Sequence, residues 1–282
     1  GHPGDDLIER EFFDFSFLAD YEVVEWRWVH RPFALVAVLY DAGEREYSYR
    51  VLEPELTWFE EYVQADLVGA LRNSLMYQDL EAASDADATA VFEREVRAVI
   101  AAEAATVEDG SLHKLQYYLL RDFLRFGPID PIMADPAIED VSCDGHDLPV
   151  FVYHREYRDL PTTVVFGKEQ LDSFVFRLSQ RAGKQLTVSN PLVDATLPNG
   201  SRIQLTLGGD VSTRGSNFTI RKFAEVPFTP VDLVATGTFS AAQLAYFWLA
   251  IENNRSLIFA GGTGSGKTSS MNAVSLFIPP NS

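Results

Sequence analysis

The stretch GGTGSGKTSS at residues 261–270 limits the possible folds of this chain more than any other short segment. It fits G-x-x-x-x-G-K-[ST], the phosphate-binding loop that joins a strand to a helix. Glycines let the backbone curl so that successive N–H groups point to one place, and the following helix aims its positive end there. The sequence therefore predicts a nucleotide site in an α/β layer. A glycine-rich turn with an incidental lysine is the alternative.

Each loop residue has a predicted part in holding a nucleotide polyphosphate and Mg²⁺. The backbone donors come from Gly261, Gly262, Thr263, Gly264, Ser265 and Gly266. Lys267 supplies a mobile cation for the β- and γ-phosphates, and the hydroxyl of Thr268 is the kind of oxygen ligand that Mg²⁺ prefers. The apolar run SLIFAG (256–261) is predicted to be the preceding strand, and KTSSMNAVSLFI (267–278) the following helix.

Composition places the rest of the chain in the globular class. Hydrophobic residues make up 46% of 282 residues, but the strictly apolar runs are short, as in FALVAVLY at 33–40. A membrane-spanning helix needs about 18 or more apolar residues, so we expect a soluble protein, with peripheral membrane attachment left open. The one cysteine, Cys143, fits a reducing compartment and is interpreted as a small residue near a turn.

The negative charge is concentrated in the first part of the chain. Residues 1–110 hold 25 Asp and Glu against 8 Lys and Arg, whereas residues 111–282 hold 16 against 15. Nucleic acid would be repelled by the first part. Three interpretations stay open: an acidic docking module for a basic partner, a halophilic surface, and a plain solvated surface. The excess of Arg (18) over Lys (5) favours the halophilic one.

The positions of Gly and Pro and the change in charge along the chain predict four segments. They are an acidic N-terminal module (1–110), an α+β domain (111–226), a linker (227–239) and the start of an α/β domain that carries the glycine loop (240–282). The module has strands within 21–52, followed by two acidic helical stretches with a break at 84–88.

Local signals predict the elements after residue 110. Ser111 is the expected N-cap of a helix that Gly127 ends, and Asn199-Gly200 is expected to form a tight primed turn between two strands. DPAIEDVSCDG (135–145) is interpreted as a turn-rich surface segment. Ser240 and Gln243 fit a capping box.

A second group of candidate phosphate-binding residues is basic. Arg202, Arg214, Arg221 and Lys222 lie in or beside two predicted strands before the linker. Arginine holds phosphate oxygens in a bidentate fork, so some of these residues could reach the nucleotide if the linker folds the two domains together. Ordinary solvent-facing strand charge is the alternative, and the residues alone do not decide between them.

Three stretches, IMADPAIEDVSCDG, LPNGSRIQLTLGGDVSTRGSNFTIRKF and GGTGSGKTSSMNAVSLFIPP, resemble the secretion ATPases of type II and type IV secretion systems. The likeness is closest to the archaeal branch that powers pili and archaella. It covers about 111–280 and is weaker over 21–60.

This resemblance implies a PAS-like α+β N-terminal domain hinged to a RecA-like motor domain, with ATP held between them. It further implies a hexameric ring, located in the cytoplasm at the inner face of the cell membrane, that drives an integral-membrane platform protein. Arg202 and Arg221 match arginines that face the nucleotide cleft in family members.

The sequence departs from the family pattern after FIPP, where family members continue into a Walker B strand and later catalytic segments. We therefore expect a fragment of a longer ATPase that binds nucleotide with negligible turnover, and whose residues 256–282 are loosely held or pack on the preceding helix. Two alternatives remain: an acidic module that docks a membrane platform protein, and a DNA-translocating RecA-like ATPase, which the charge of residues 1–110 disfavours.

Overall fold

The computed structural model describes residues 13–75, 94–100, 109–209, 212, 214–223, 228–262 and 265–279. The chain divides into two compact units, Gly1–Phe223 and Ala224–Ser282. The finer domain boundaries given above stay predictions. The break expected at 84–88 lies outside the described residues.

Strands dominate the first unit. They are β1 Glu22–His30, β2 Ala34–Asp41, β3 Glu46–Leu52, β4 Ile138–Cys143, β5 Pro149–His154, β6 Arg158–Val165, β7 Leu192–Thr196, β8 Arg202–Thr206 and β9 Asn217–Arg221. The helices are α1 Trp58–Leu75, α2 Asp109–Phe123, α3 Asp130–Ala134 and α4 Lys168–Arg181, with 3₁₀ turns at Ser16–Ala19 and Gly127–Ile129. Residues 94–100 are also helical. The predicted α+β fold class is confirmed.

All nine strands belong to one sheet, in the order β1-β2-β3-β6-β5-β4-β9-β8-β7. Neighbouring strands are antiparallel except β3 and β6, which are parallel and share one bridged pair, Tyr49 with Thr162. The sheet therefore has two well-paired parts, β1–β3 and β4–β9, with little backbone pairing between them.

Three apolar clusters stabilise this unit. The largest lies between α4 and the sheet, where the rings of Phe166, Phe174 and Phe218 meet with centroids 5.0–5.9 Å apart. A second packs Phe13 against β1–β3. The third joins α1, α2 and the helical residues 94–100. Helix α4 thus buries its apolar stripe against the sheet, whereas α1 and α2 bury theirs against each other.

The interpretation of residues 135–145 as a surface segment was wrong. Residues 138–143 form β4, between β5 and β9, and Ile138, Val141 and Cys143 are buried. The pairing of β4 with β5 is irregular between Ile138 and Asp140, so two apolar residues three positions apart both face the core. This bulge breaks the period-2 pattern that marks a strand in sequence.

The β7–β8 hairpin is confirmed, but its predicted turn type was wrong. Gly200 has a positive φ of 83°, whereas Asn199 does not. The Gly200 N–H donates to the Leu197 carbonyl at 2.9 Å, and the Leu197 N–H donates to the Ser201 carbonyl at 2.8 Å. The loop is therefore a three-residue turn with a glycine bulge, which needs only one left-handed residue.

Ser111 was wrongly predicted to be an N-cap. The helix already includes Asp109, and Ser111 lies in its first turn. Its side chain hydrogen-bonds Glu60 of α1, which also forms an ion pair with Lys114. The serine therefore joins two helices instead of starting one.

The second unit consists of α5 Pro230–Ala235, α6 Ala241–Glu252 and α7 Lys267–Ser275. Helix α5 lies inside the predicted linker, where Thr229 and Asp232 form a capping box and Pro230 occupies the first turn. Hydrogen bonds from Thr229 lower the pKa of Asp232. The predicted capping box of Ser240 and Gln243 is confirmed at the start of α6.

The strand predicted at 256–261 was wrong. Residues 256–260 form neither helix nor strand, and Ile258 is 91% exposed. A strand must pair its N–H and C=O groups with a neighbour, and the described residues of this unit include only helices as possible neighbours. None of the helices in the described part of the chain is long and apolar enough to cross a membrane.

A buried carboxylate, Asp135, links the two parts of the nine-stranded sheet. It is 1% exposed and accepts hydrogen bonds from Tyr49 Oη of β3 (2.7 Å) and Arg27 Nη1 of β1 (2.9 Å). Its Oδ1 also accepts from the Ala137 N–H at 2.9 Å. Burial, with the adjacent Asp135 charge, raises the pKa of Tyr49 well above its usual range, so the phenol stays a donor. Side-chain contacts thus compensate for the sparse β3–β6 pairing.

We predict that Asp135→Ala frees the β1–β3 part of the sheet. Removing one partner of a buried ion pair costs about 3–5 kcal/mol, because the groups that it satisfied lose their acceptor. Hydrogen exchange of the β1–β3 amides should therefore rise, while exchange in β7–β9 should change little. The control Asp144→Ala, at an exposed site, should shift local stability by no more than about 0.5 kcal/mol. Equal acceleration in both variants would contradict this role.

Candidate nucleotide-binding site

Helix α7 supports the glycine loop and is anchored by its C-terminal half. Ala273 and Val274 are buried, and α7 packs against α5 and α6. The rings of Trp248 on α6 and Phe277 just after α7 stack with centroids 5.4 Å apart. Residues 267–277 of the segment 256–282 thus pack on the preceding helix, whereas Ile258 is exposed. The first turn of α7 stays at the surface, with Thr268 exposed.

Gly266 starts α7 in a conformation that favours glycine. Its φ of 79° and ψ of 14° are left-handed, and its carbonyl accepts the first helical hydrogen bond from the Ser270 N–H at 2.9 Å. Among the described residues, no side chain caps this end of the helix. The N–H groups of the first turn therefore face outward without a competing side-chain acceptor, as an anion site at a helix N-terminus requires.

Lys267 folds back over the loop. Its Nζ donates to the Gly262 carbonyl and lies 3.5 Å from Ser265 Oγ. The Ser265 N–H in turn donates to the Gly262 carbonyl at 3.4 Å. A Cβ built on Gly261 would lie 2.6 Å from Ser265 Oγ, so the curl is tight at its start. Thr263 and Gly264 lie outside the described residues.

Arg202 and Arg221 lie opposite each other on β8 and β9 in the first unit. Arg221 is largely exposed, and its Nε and Nη2 donate to the two carboxylate oxygens of Asp140 at 3.1 and 3.4 Å. This hydrogen bonding raises the pKa of Arg221. Their part in nucleotide binding stays a prediction.

Two residues beside Arg202 and Arg221, Lys222 and Asp140, have contacts that the sequence analysis did not predict. Lys222 donates to the carbonyls of Ile132 and Asp135, so it holds the chain before β4 and is not a candidate for phosphate. Asp140, the carboxylate that orients Arg221, was assigned no role. The alternation around the β4 bulge could have placed it on the same face as the arginines, had the strand been recognised.

A magnesium site made only of protein side chains is not formed by the described residues, which contain no group of three His, Cys, Asp or Glu suited to a metal. The exposed hydroxyl of Thr268 beside the uncapped helix end fits a different arrangement, in which the protein gives one oxygen and the phosphates give others. Mg²⁺ commonly binds in this way.

Two protein families match parts of this sequence, and one of the matches includes the glycine loop. Residues 166–282 match the family described as type II/IV secretion system protein, and residues 6–55 match the PilB3-like N-terminal family. The uncharacterized protein MJ1288 of Methanocaldococcus jannaschii is 37% identical over 180 residues, which are 64% of this chain and 71% of that protein. The chain belongs to the type II/IV secretion system protein family.

A second relative from the same organism, the uncharacterized protein MJ0900, is 41% identical over 170 residues. The match covers 60% of this chain and 31% of that protein, so the chain spans less than a third of this relative's length.

Two solved structures of ATPases overlap with part of the chain. The VirB11 ATPase of the Brucella suis type IV secretion system has 24% identity and a TM-score of 0.35, over 54% of this chain and 52% of its own. The Legionella pneumophila ATPase DotB has 17% identity and a TM-score of 0.28, over 54% and 42%. The assignment to the secretion family rests on the sequence matches, not on these overlaps.

The left-handed Gly266 yields a prediction for the family's loop. Gly266→Ala should destabilise the first turn of α7 by about 1–2 kcal/mol, because a side chain disfavours this φ. Hydrogen exchange at the N-terminal amides of α7 measures the effect. Gly262→Ala is the matched control, since a Cβ there meets nothing within 4 Å and its φ lies outside the range that favours glycine. Similar protection in the two variants would show that the cap conformation is not needed.

Proposed function

We propose that the second unit binds ATP with Mg²⁺, and that the chain is the nucleotide-binding portion of a type II/IV secretion motor. The observation that carries the proposal is the N-terminal end of α7. There a left-handed glycine, a first turn without a side-chain cap and the Lys267 side chain all lie at the glycine loop. Outward N–H groups and one ammonium group suit a polyanion and offer little to a neutral ligand.

Phosphate binding would proceed by exchange of partners. The Lys267 ammonium donates to the Gly262 carbonyl, a neutral acceptor, and a β- or γ-phosphate oxygen is a stronger one. Lysine suits this exchange because its flexible stem carries a compact charge. The Thr268 hydroxyl, one residue further along the helix, would give Mg²⁺ a ligand next to the same phosphates.

We further propose that Arg202 and Arg221 contribute to triphosphate binding in the intact motor. The largely exposed Arg221 would exchange Asp140 for phosphate oxygens. We further propose a hexameric ring at the inner face of the membrane that couples ATP turnover to an integral-membrane platform protein of a pilus or secretion system. The likeness to family members supports this proposal. Hydrolysis is proposed for the intact protein.

We predict that Lys267→Ala weakens ATP binding by about 10- to 100-fold, because a charge-assisted hydrogen bond contributes roughly 1.5–3 kcal/mol. Isothermal titration of the purified chain with ATP and Mg²⁺ measures the change. Lys168→Ala removes an exposed lysine from the start of α4 and should leave the affinity unchanged. Equal affinities for Lys267→Ala and the parent chain would refute the site.

The same titration separates the metal from the phosphate contribution. With EDTA present, Thr268→Ala and the parent chain should bind ATP equally, whereas with Mg²⁺ only the parent should gain affinity. An equal gain in affinity from Mg²⁺ in Thr268→Ala and in the parent chain would contradict the proposed role of Thr268.

A second candidate function, docking of a basic partner, is favoured by one surface of α1. Trp58 and Tyr62, one turn apart, are 79% and 69% exposed, and Phe59 is 43% exposed. The exposed carboxylates of Glu61 and Asp66 lie on the same helix. Exposed Trp and Tyr are typical anchors of protein interfaces, and the flanking acids select a basic partner over an anionic membrane or nucleic acid.

We expect Trp58→Ser with Tyr62→Ser to weaken binding of a Lys- and Leu-rich amphipathic peptide by about tenfold or more, since two anchors are lost. Fluorescence anisotropy of the labelled peptide measures this, and the affinity of the parent chain should fall as salt rises. Tyr246→Ser, at a 67% exposed site on α6, is the control. Undiminished affinity in the double variant would exclude α1 as the docking surface.

A further inference from the structure

The nine-stranded sheet of the first unit ends in two edge strands, β1 and β7. An edge strand presents unpaired backbone N–H and C=O groups and accepts a further strand unless charges, prolines or bulges prevent it. β1 contains charged residues, and its pairing with β2 is irregular between Val23 and Glu25 and between Trp28 and His30. β7 lacks such irregularities, since Leu192–Thr196 pair evenly with β8 and include no Lys, Arg or Pro.

The backbone groups of β7 that face outward follow from the contacts at its two ends. Just before the strand, the Pro191 carbonyl accepts from the Leu207 N–H at 2.8 Å. Just after it, the Leu197 N–H donates to the Ser201 carbonyl at 2.8 Å. Because an antiparallel strand directs alternate residues to each side, the groups that face away from β8 belong to Leu192, Asp194 and Thr196. In the described part of the chain, no other strand or isolated bridge pairs with them.

The side chains of β7 also alternate between two surroundings. Val193 is 7% exposed and belongs to the large apolar cluster beside α4, and the half-buried Ala195 packs against that cluster. Leu192, in contrast, is 57% exposed on the opposite face of the sheet. A strand added beside β7 has the same alternation. Its residues next to Val193 and Ala195 would therefore be apolar, and those between them would lie on the exposed face.

Asp194 selects the charge of such a strand. It is exposed, and no described residue gives it a hydrogen bond or an ion pair. Gln204 lies opposite it on β8, and the cation Arg202 lies opposite Thr196 instead. Opposite charges on directly paired residues stabilise a sheet, whereas like charges destabilise it. A Lys or Arg opposite Asp194 is therefore favoured, and an acidic residue is disfavoured.

A second copy of this chain fits the β7 edge poorly. Two β7 strands paired antiparallel in full register would place the two Asp194 carboxylates directly opposite each other, which destabilises the pair. A shifted register that separates the carboxylates leaves fewer residues paired, and β7 has only 5. Charge complementarity thus favours a segment of a different protein.

We infer that β7 binds an extended segment of a partner protein, which adds a strand to the sheet and places Lys or Arg opposite Asp194. Apolar residues of the segment would alternate with its polar ones and extend the core beside Val193. In this mode of recognition the main-chain hydrogen bonds provide affinity, and alternate side chains provide specificity. The surface belongs to the first unit alone, so the inference does not depend on nucleotide binding.

The test uses the full chain and a short labelled peptide in which Val alternates with Thr and the central polar residue is Lys. Fluorescence anisotropy should give a dissociation constant below about 1 mM. The same peptide with Glu in place of Lys should bind about threefold more weakly or worse. Asp194→Lys should reverse this preference. Asp144→Lys, which makes the same charge change at an exposed site in the β4–β5 turn, should preserve it.

A second variant tests the backbone contacts. Thr196→Pro removes an outward N–H and no β7–β8 ladder bond, and proline is tolerated at such an edge position. It should weaken the Lys peptide by about fivefold or more, while amide exchange in β8 stays slow. In the parent chain, the peptide should shift the amide resonances of Leu192, Asp194 and Thr196 and slow their hydrogen exchange.

Three results would overturn the inference. One is that neither peptide binds below about 1 mM. Another is that the preference for Lys over Glu is the same in Asp194→Lys and the parent chain. The third is a dimer of the parent chain, seen by sedimentation, that Thr196→Pro abolishes, because a second copy would then be the occupant of the β7 edge.

Discussion

The architecture of the first unit depends on one buried carboxylate. Asp135 accepts hydrogen bonds from β1, from β3 and from the backbone just before β4. The two parts of the sheet share only one bridged pair, between β3 and β6. A buried charge is tolerated only when it is paired and hydrogen-bonded. The three donors to Asp135 named here come from three different segments of the chain. Lys222 strengthens the arrangement because its ammonium donates to the carbonyls of Ile132 and Asp135.

This junction explains how two sequence families combine in one sheet. The PilB3-like segment contains β1–β3, whereas β7–β9 belong to the segment that matches the secretion family. Backbone pairing across β3 and β6 is too sparse to fix their relation, so side chains from both parts provide it. A polar junction is also specific, since a shifted register would leave a charge buried without partners.

Sequence reasoning succeeded at two places where the determining signal was local. Capping at Ser240 and the hairpin at Gly200 each depend on a few neighbouring residues, although the predicted cap at Ser111 and the predicted turn type at Gly200 were wrong. It failed where the signal was distant or irregular. The bulge in β4 hid a central strand, and the apolar run that includes Ile258 has no strand beside it among the described residues. Asp135 and Asp140 could not be assigned from sequence because their partners lie about 80–110 positions away.

The loop residues could be proposed from sequence because a phosphate cradle is made by consecutive positions. The sequence pattern could not show that the loop lysine already has a partner. The Lys267 ammonium donates to the Gly262 carbonyl. Binding of a phosphate chain at the proposed site would be an exchange of contacts, so its net free energy would be smaller than the sum of the new ones. A ligand with one charge would gain little from displacing this partner. A triphosphate that met the helix end and the ammonium together would gain from both, so the prior pairing would favour polyphosphates over simple anions.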